Sequence, residues 1–157
     1  MITIKKSPNA DSRSAPDLKS LDVKTLESDT NRHIGDIKNG LKFFADMLKE
    51  AGEKHDHLKL DRLEEFHEAL TSEKIKESKW YKDHITEERH HLVAKVGTIS
   101  GVPKDVNLID VIEHLVDCVM AGMARSGEIY DVELPADVLK KAHENTIELL
   151  KKNITVG

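Results

Sequence analysis

The chain has 157 residues, of which 38% are hydrophobic and 34% charged, and this composition excludes a disordered protein. The net charge of −5 at pH 7 argues against nucleic acid as the main partner. No apolar stretch reaches the length of a membrane span, and the first residues lack the apolar core of a secretory signal. The one cysteine, Cys118, cannot form an internal disulfide and fits a reducing compartment. We therefore expect a cytoplasmic protein.

The first 27 residues differ in composition from the rest of the chain. Residues 1–4 predict a short strand, and residues 7–16 are small, polar and interrupted by proline, which is typical of an irregular segment. We predict an irregular arm at 1–27 and a helical domain at 28–157. A loose terminus is the simpler interpretation of the arm. An arm that lies on a partner subunit, or contributes to a site, is the alternative.

From residue 28 onward, apolar residues recur at helical spacing. A first helix is capped at 28–30, carries an apolar face with Ile34, Ile37 and Leu41, and ends near Gly52. Further helices are predicted at about 61–70, 80–96, 107–125 and 135–152. The sequence therefore predicts an all-α bundle of about five to six helices. The apolar faces of the last two helices suit either internal packing or a homo-oligomer.

The unusual feature of the composition is the number of histidines, nine in 157 residues. Several of them, together with aspartates, fall on or beside separate predicted helices. These candidate metal ligands are His33, His55, Asp56, His84, His90, His91 and Asp117. Imidazole and carboxylate together suit divalent ions such as Mn, Fe, Co, Ni or Zn. The sequence therefore predicts a site for one or two such ions, centred on the His55-Asp56 doublet.

Helical geometry orders these candidates. On a continuous helix His84 and His91 share a face, whereas His90 points about 100° away, so only one of the adjacent pair is expected to face the site. Asp117 lies within the most apolar predicted helix, where an unpaired carboxylate is costly. Asp110 lies near the start of that helix, where a negative charge is favourable without any metal. We therefore prefer Asp117 as the ligand.

The order of these residues resembles that of the HD-domain superfamily of metal-dependent phosphohydrolases, all-α proteins named for a His-Asp doublet. The resemblance implies a compact HD-domain-like bundle. It implies that one ion is bound by a first-helix histidine, the doublet and a distal aspartate, which here are His33, His55, Asp56 and Asp117. It also implies a second ion at His84 with His90 or His91.

The chain also resembles a narrower group of uncharacterised, mostly phage-encoded proteins. The stretches that carry this resemblance are residues 10–13, 80–84, 88–92 and 117–122. It implies a location in the host cytoplasm and names no substrate. The chain departs from the pattern at His57, a third titratable group beside the doublet, which is either a ligand or a bystander.

The HD resemblance suggests a phosphohydrolase that acts on a nucleotide or another small phosphate ester through a metal-activated water. Asp56 is then a ligand and a candidate proton acceptor. Negative charge that develops on the phosphate needs cations. Lys59 is our first choice for that role because it follows the doublet by one helical turn, and Lys82 and Arg89 are further candidates.

Three alternatives remain open. Glu64, Glu65 and Glu68 match half of the motif of MazG-like nucleoside triphosphate pyrophosphohydrolases, with Glu128 to Asp131 as the nearest second half. A non-catalytic interaction protein whose metal only stabilises the fold is the second alternative. An oxygenase is the third, because histidine-rich HD-like sites can hold two irons.

Overall fold

The computed structural model describes residues 1–7, 19, 21–92, 102–130 and 132–157. Its elements in chain order are β1 (Ile2–Ile4), α1 (Val23–Lys54), α2 (His57–Asp61), α3 (Leu63–Thr71), a 3-10 helix (Ile75–Glu77), α4 (Lys79–Glu87), α5 (Leu108–Ser126), α6 (Ala136–Lys152) and β2 (Ile154–Val156). Helices account for most of the described residues, so the predicted all-α class is confirmed. None of the described helices is both long and apolar enough to cross a membrane.

The chain forms two units, one of residues 1–47 with 148–157 and one of residues 48–147. In the first unit β1 and β2 pair in parallel, with Ile2 opposite Ile154. The predicted strand at residues 1–4 is therefore confirmed. Residues 8–18 and 20 of the predicted arm lie outside the described residues, and the arm boundary at residue 27 stays a prediction.

Helix α1 begins earlier than the sequence predicts. The side chain of Asp22 accepts a hydrogen bond from the backbone N–H of Thr25 at 2.9 Å and so caps the helix. The expected cap residues lie inside the helix instead. One of them, Asp29, is buried and forms an ion pair with Arg32 one turn later. The prediction was wrong here because several residues in a row are good caps, and spacing alone does not choose among them.

The second unit is built around a small aliphatic core. Leu92, Val106 and Ala142 are almost fully buried, and Val111 and Val138 pack against them. Polar side chains of α6 fix this helix to the segment before α5. Asn145 donates to the carbonyl of Val106 at 2.8 Å, and Thr146 accepts from the N–H of Leu108 at 2.9 Å.

Helix α5 follows the prediction closely. Asn107 caps it by accepting from the backbone of Ile109, and the Asp110 carboxylate accepts from the N–H of Asn107 in return. Gly127, in the left-handed conformation at φ 76°, ends the helix. The capping role of Asp110 agrees with the choice of Asp117 as the candidate ligand on this helix.

Helix α4 is shorter than predicted. Ser78 caps it through the N–H of Tyr81 at 3.1 Å, and it ends at Glu87. Glu88 is extended, and residues 93–101 lie outside the described residues. The prediction of a helix to about residue 96 is therefore wrong. The expectation that only one of His90 and His91 faces the site depended on that longer helix. It is also wrong, because both residues follow the end of α4.

Several helices carry exposed apolar side chains. They include Ile34, Ile37 and Leu41 on α1 and Leu115, Val116, Met120 and Met123 on α5. The predicted apolar face of α1 is therefore not buried at Ile34, Ile37 or Leu41, and the prediction is wrong for these residues. A homo-oligomer that covers such surfaces stays a prediction.

Candidate metal centre

The predicted doublet lies at a sharp bend in the chain. Helix α1 continues through Gly52 to Lys54, and Asp56, at φ 56° and ψ 24°, precedes α2 in the left-handed conformation. Few side chains adopt this conformation readily, and aspartate is one of them. The helix therefore continues past Gly52, where the sequence predicts its end, and the bend occurs at the doublet itself.

Asp56 stands at the cap position of α2 but does not cap it. The buried carboxylate of Glu88 accepts a hydrogen bond from the N–H of Leu58 at 3.0 Å instead. The same Glu88 oxygen lies 3.1 Å from Nδ1 of His57. A residue from another element thus satisfies the start of α2 and leaves the Asp56 carboxylate available for other partners.

The Asp56 carboxylate faces three imidazole rings. Its Oδ1 atom lies 3.6 Å from Nε2 of His84 and 3.7 Å from Nε2 of His90, and its Oδ2 atom lies 3.5 Å from Nε2 of His55. Buried Oδ1 accepts no hydrogen bond within the part of the chain that the structure describes. Donor atoms that each lie about 2.0–2.2 Å from one ion are about 3–4 Å apart. The spacing and the unsatisfied oxygen both fit a bound cation.

Glu113 holds two of these histidines from the far side. Its Oε1 atom is 2.9 Å from Nδ1 of His55 and 3.3 Å from Nδ1 of His90. The rings of His55 and His90 lie 4.4 Å apart. A carboxylate at Nδ1 leaves Nε2 as the metal-binding nitrogen and fixes the ring orientation. Glu113 therefore directs Nε2 of His55 towards Asp56, whereas its contact with His90 lies at ion-pair distance and is not a hydrogen bond.

Two further predicted residues complete the cluster. Nε2 of His91 lies 3.0 Å from Nε2 of His84, and Oδ1 of Asp117 lies 3.6 Å from Nε2 of His55. The structure therefore brings together six of the seven candidate ligands. The seventh, His33, lies at an exposed position of α1 in the first unit.

An aromatic stack supports His84. The ring of Trp80 lies 4.9 Å from that of His84 at an interplanar angle of 11°, and Phe66 stacks on the other side of Trp80 at 4.4 Å. Trp80 and His84 are both buried. The stack places the only tryptophan of the chain directly against the candidate site, where its fluorescence can report on binding.

The carboxylates and imidazoles of the cluster shift one another's pKa values. The carboxylates of Asp117 and Glu113 raise the pKa of His55 to about 10. Burial opposes ionisation of Glu113, but His55 and His90 outweigh it and lower its pKa to about 2. Burial lowers the pKa of His84 to about 4, so this ring is neutral at pH 7 and has a free nitrogen lone pair.

The three predicted basic residues differ in position. Lys59 forms an ion pair with Oδ2 of Asp56, at the edge of the cluster. Lys82 is exposed on α4. Arg89 makes a two-pronged ion pair with the buried carboxylate of Asp110, at 2.7 and 2.8 Å. We therefore retain Lys59 and leave Arg89 out of the site.

Sequence reasoning missed Glu88 and Glu113. A signal existed for Glu113, because it lies four residues before Asp117 and so shares its helical face. Glu88 gave no such signal, since it follows the end of α4. The structure places histidine, aspartate and glutamate groups close enough together to bind a metal, in the groups His55, His90, Glu113 and Asp56, His84, Glu88.

Comparisons with known protein families, with curated proteins and with solved structures find no match to this chain.

Proposed function

We propose that the chain is a metal-dependent phosphohydrolase that acts on a small phosphate ester. The observation that carries the proposal is the half-buried Asp56 carboxylate, which faces three imidazole nitrogens at 3.5–3.7 Å while its buried Oδ1 atom accepts no hydrogen bond from any described residue. Lys59 pairs with Oδ2 and leaves Oδ1 unsatisfied, and a buried unsatisfied carboxylate oxygen is costly unless a donor or a cation lies beside it. A divalent ion would satisfy that oxygen together with lone pairs of the facing imidazoles.

The donor set decides which ions are suitable. The Nε2 atoms of four histidines and two carboxylates are mixed nitrogen and oxygen ligands, which suit Mn, Fe, Co, Ni or Zn better than Mg. The residues that would hold the metal are His55, Asp56, His84, His90, His91 and Asp117. Six donors exceed the four that a structural zinc uses, and this number favours a catalytic site for one or two ions.

When bound, the metal would lower the pKa of a water and polarise a phosphate oxygen. The chain supplies the remaining functions. Lys59 offers a positive charge beside Asp56 for the developing charge on phosphate. Asp56 accepts the proton that the attacking water loses. The water oxygen bonds to phosphorus, and the bond from phosphorus to the ester oxygen breaks. The leaving alkoxide takes up a proton from solvent, and Asp56 returns to solvent the proton that it accepted.

The alternatives are less well supported by the described residues. Glu64, Glu65 and Glu68, the half-motif of MazG-like enzymes, are all exposed on α3, and Glu65 forms an ion pair with Arg62. Asp131, from its second half, lies outside the described residues. A metal that only stabilises the fold and an iron site that activates oxygen would use the same ligands as the hydrolase. Only an activity assay distinguishes these alternatives from it.

A phosphate-release screen tests the proposal. The protein is loaded in turn with Mn, Co, Fe and Zn and given a panel of phosphate esters. We expect release with at least one ion, loss of release in Asp56→Asn, and retention in Asp61→Asn. Asp61 is the matched control because it is an exposed aspartate at the end of α2. Metal binding without release from any ester would overturn the hydrolase and favour the alternatives.

A further inference from the structure

An open cavity of about 520 Å³ in the second unit adjoins the candidate metal centre. Three cluster residues, His55, Glu113 and Asp117, form part of its lining. The other lining residues come from the end of α1 and from the middle of α5. The cavity therefore leads directly to the residues that would hold the metal, and its volume is within the range of small-molecule sites.

The remainder of the lining is apolar. Leu48 and Ala51 of α1 and Ile112, Val116 and Met120 of α5 all line the cavity. Of the described residues that line it, none is a lysine or an arginine. Its charged groups are the Glu113 and Asp117 carboxylates and the His55 imidazole that they hold. A polyphosphate chain has no cationic partner here and would meet two carboxylates.

The positive charge of Lys59 lies elsewhere. It pairs with Asp56, and Lys59 is not among the cavity residues. The arrangement thus separates a polar end, where Lys59 and Asp56 lie, from an apolar end in the cavity, with His55 between them. A ligand that satisfies both ends has one anionic group joined to one uncharged, apolar group.

We propose that this cavity binds the uncharged, apolar part of the substrate, so that the substrate class is a phosphate monoester of an aliphatic or aromatic alcohol rather than a nucleotide. The inference rests on the proposed hydrolase for the phosphate end and on the cavity alone for the apolar end. Burial of an apolar group against aliphatic walls would provide the binding energy, and the metal centre would hold the phosphate.

The cavity is tested by binding, without catalysis. The probe is 2-naphthol, an uncharged aromatic alcohol, titrated calorimetrically into the metal-free protein. Val116→Phe narrows the cavity at its lining and should weaken binding by roughly tenfold or more, through loss of apolar contact with the probe. Leu115→Phe is the matched control, an exposed apolar neighbour on α5 outside the lining, and should bind as wild type does. Val116→Ala should retain binding. Equal affinity in Val116→Phe and wild type would overturn the inference.

Substrate choice is tested separately, with 2-phenylethyl phosphate and adenosine monophosphate under the same metal, because both esters release a primary alcohol. We expect a kcat/KM at least tenfold higher for the phenylethyl ester, reduced in Val116→Phe mainly through KM. An equal or higher value for the nucleotide would overturn the substrate class while supporting the hydrolase. If neither ester is hydrolysed while 2-naphthol binding still depends on Val116, the hydrolase fails and the apolar binding site stands.

Discussion

The Glu88 carboxylate accepts a hydrogen bond from the N–H of Leu58 at 3.0 Å. It thereby caps α2 in place of Asp56, the residue at the cap position. An aspartate at that position ordinarily bonds to the first turn of its own helix. Here Asp56 is in the left-handed conformation, and its carboxylate faces the histidines. Because Glu88, which follows α4, caps α2, the carboxylate of Asp56 is available as a ligand.

Replacing Glu88 tests this division of roles. Glu88→Gln keeps an oxygen that can accept from Leu58, and we expect metal affinity within a few fold of wild type. Glu88→Ala loses the cap and should lower the free energy of unfolding by about 1–2 kcal/mol, the usual cost of a lost helix cap. Urea denaturation and metal titration measure the two effects. If Glu88→Gln abolishes metal binding, Glu88 is a ligand and not a cap.

Glu113 is predicted to set the protonation of His55. It contributes, after Asp117, to raising the His55 pKa to about 10. In the metal-free protein this ion pair stabilises the fold fully below the unfolded-state value near 6.5, and the stabilisation is lost as pH rises through about 10. Glu113→Gln should lower the pKa of His55, as followed by NMR titration of its ring protons.

The control for this titration is Glu144→Gln, an exposed glutamate in the same unit, which should leave the His55 titration unchanged. Glu113→Gln should also weaken metal binding by roughly 10–100-fold, the usual effect of removing a carboxylate that orients a metal-binding histidine. An unchanged His55 pKa in Glu113→Gln would show that Glu113 does not act on this ring.

We expect Lys59 to act in the active site and Arg89 to stabilise the fold. Arg89→Met leaves the buried Asp110 carboxylate without its partner and should lower the free energy of unfolding by about 2–4 kcal/mol. Lys59→Met should lower kcat/KM by about tenfold or more while changing stability little, since its charge acts on the developing transition state. The reverse pattern, loss of catalysis with Arg89→Met at unchanged stability, would contradict the assignment.

Gly122 marks a close approach of the chain to α5. A Cβ built at this position would lie 2.4 Å from the carbonyl oxygen of Glu128 and 2.7 Å from the backbone nitrogen of Tyr130. Because both neighbours are backbone atoms, Gly122→Ala forces the segment after α5 away and should cost about 1–3 kcal/mol in unfolding free energy. Gly40→Ala on α1 is the control, where nothing lies within 4 Å, and it should stabilise by about 0.5–1 kcal/mol.

The sequence was most informative where chemistry is local. Capping residues and apolar spacing predicted α5 almost to the residue, and the order of histidines and aspartates identified six residues that the structure brings together. It failed where long-range contacts decide. The end of α4 at Glu87 depends on packing, and the extrapolated helix misplaced His90.

Two further features of the site were beyond local reasoning. The Glu88 cap joins residues 30 positions apart, and the Glu113–His55 contact joins residues 58 positions apart. The left-handed conformation of Asp56 could not be predicted either, because the nearby Gly52 is the residue that adopts such a conformation most readily. Pairings of this kind follow from the packed fold and not from spacing along one helix.

Metal content is the most direct test of the central claim, that the residues around Asp56 form a metal site. Elemental analysis is made on wild type, Asp56→Asn and Asp61→Asn purified without chelator and after dialysis against Mn, Fe, Co, Ni and Zn. Asparagine tolerates the left-handed conformation, so Asp56→Asn removes the charge with little strain. We predict at least one equivalent of a transition metal in wild type and Asp61→Asn, and a large loss in Asp56→Asn. Metal-free wild type under every condition, or full metal content in Asp56→Asn, would contradict the account.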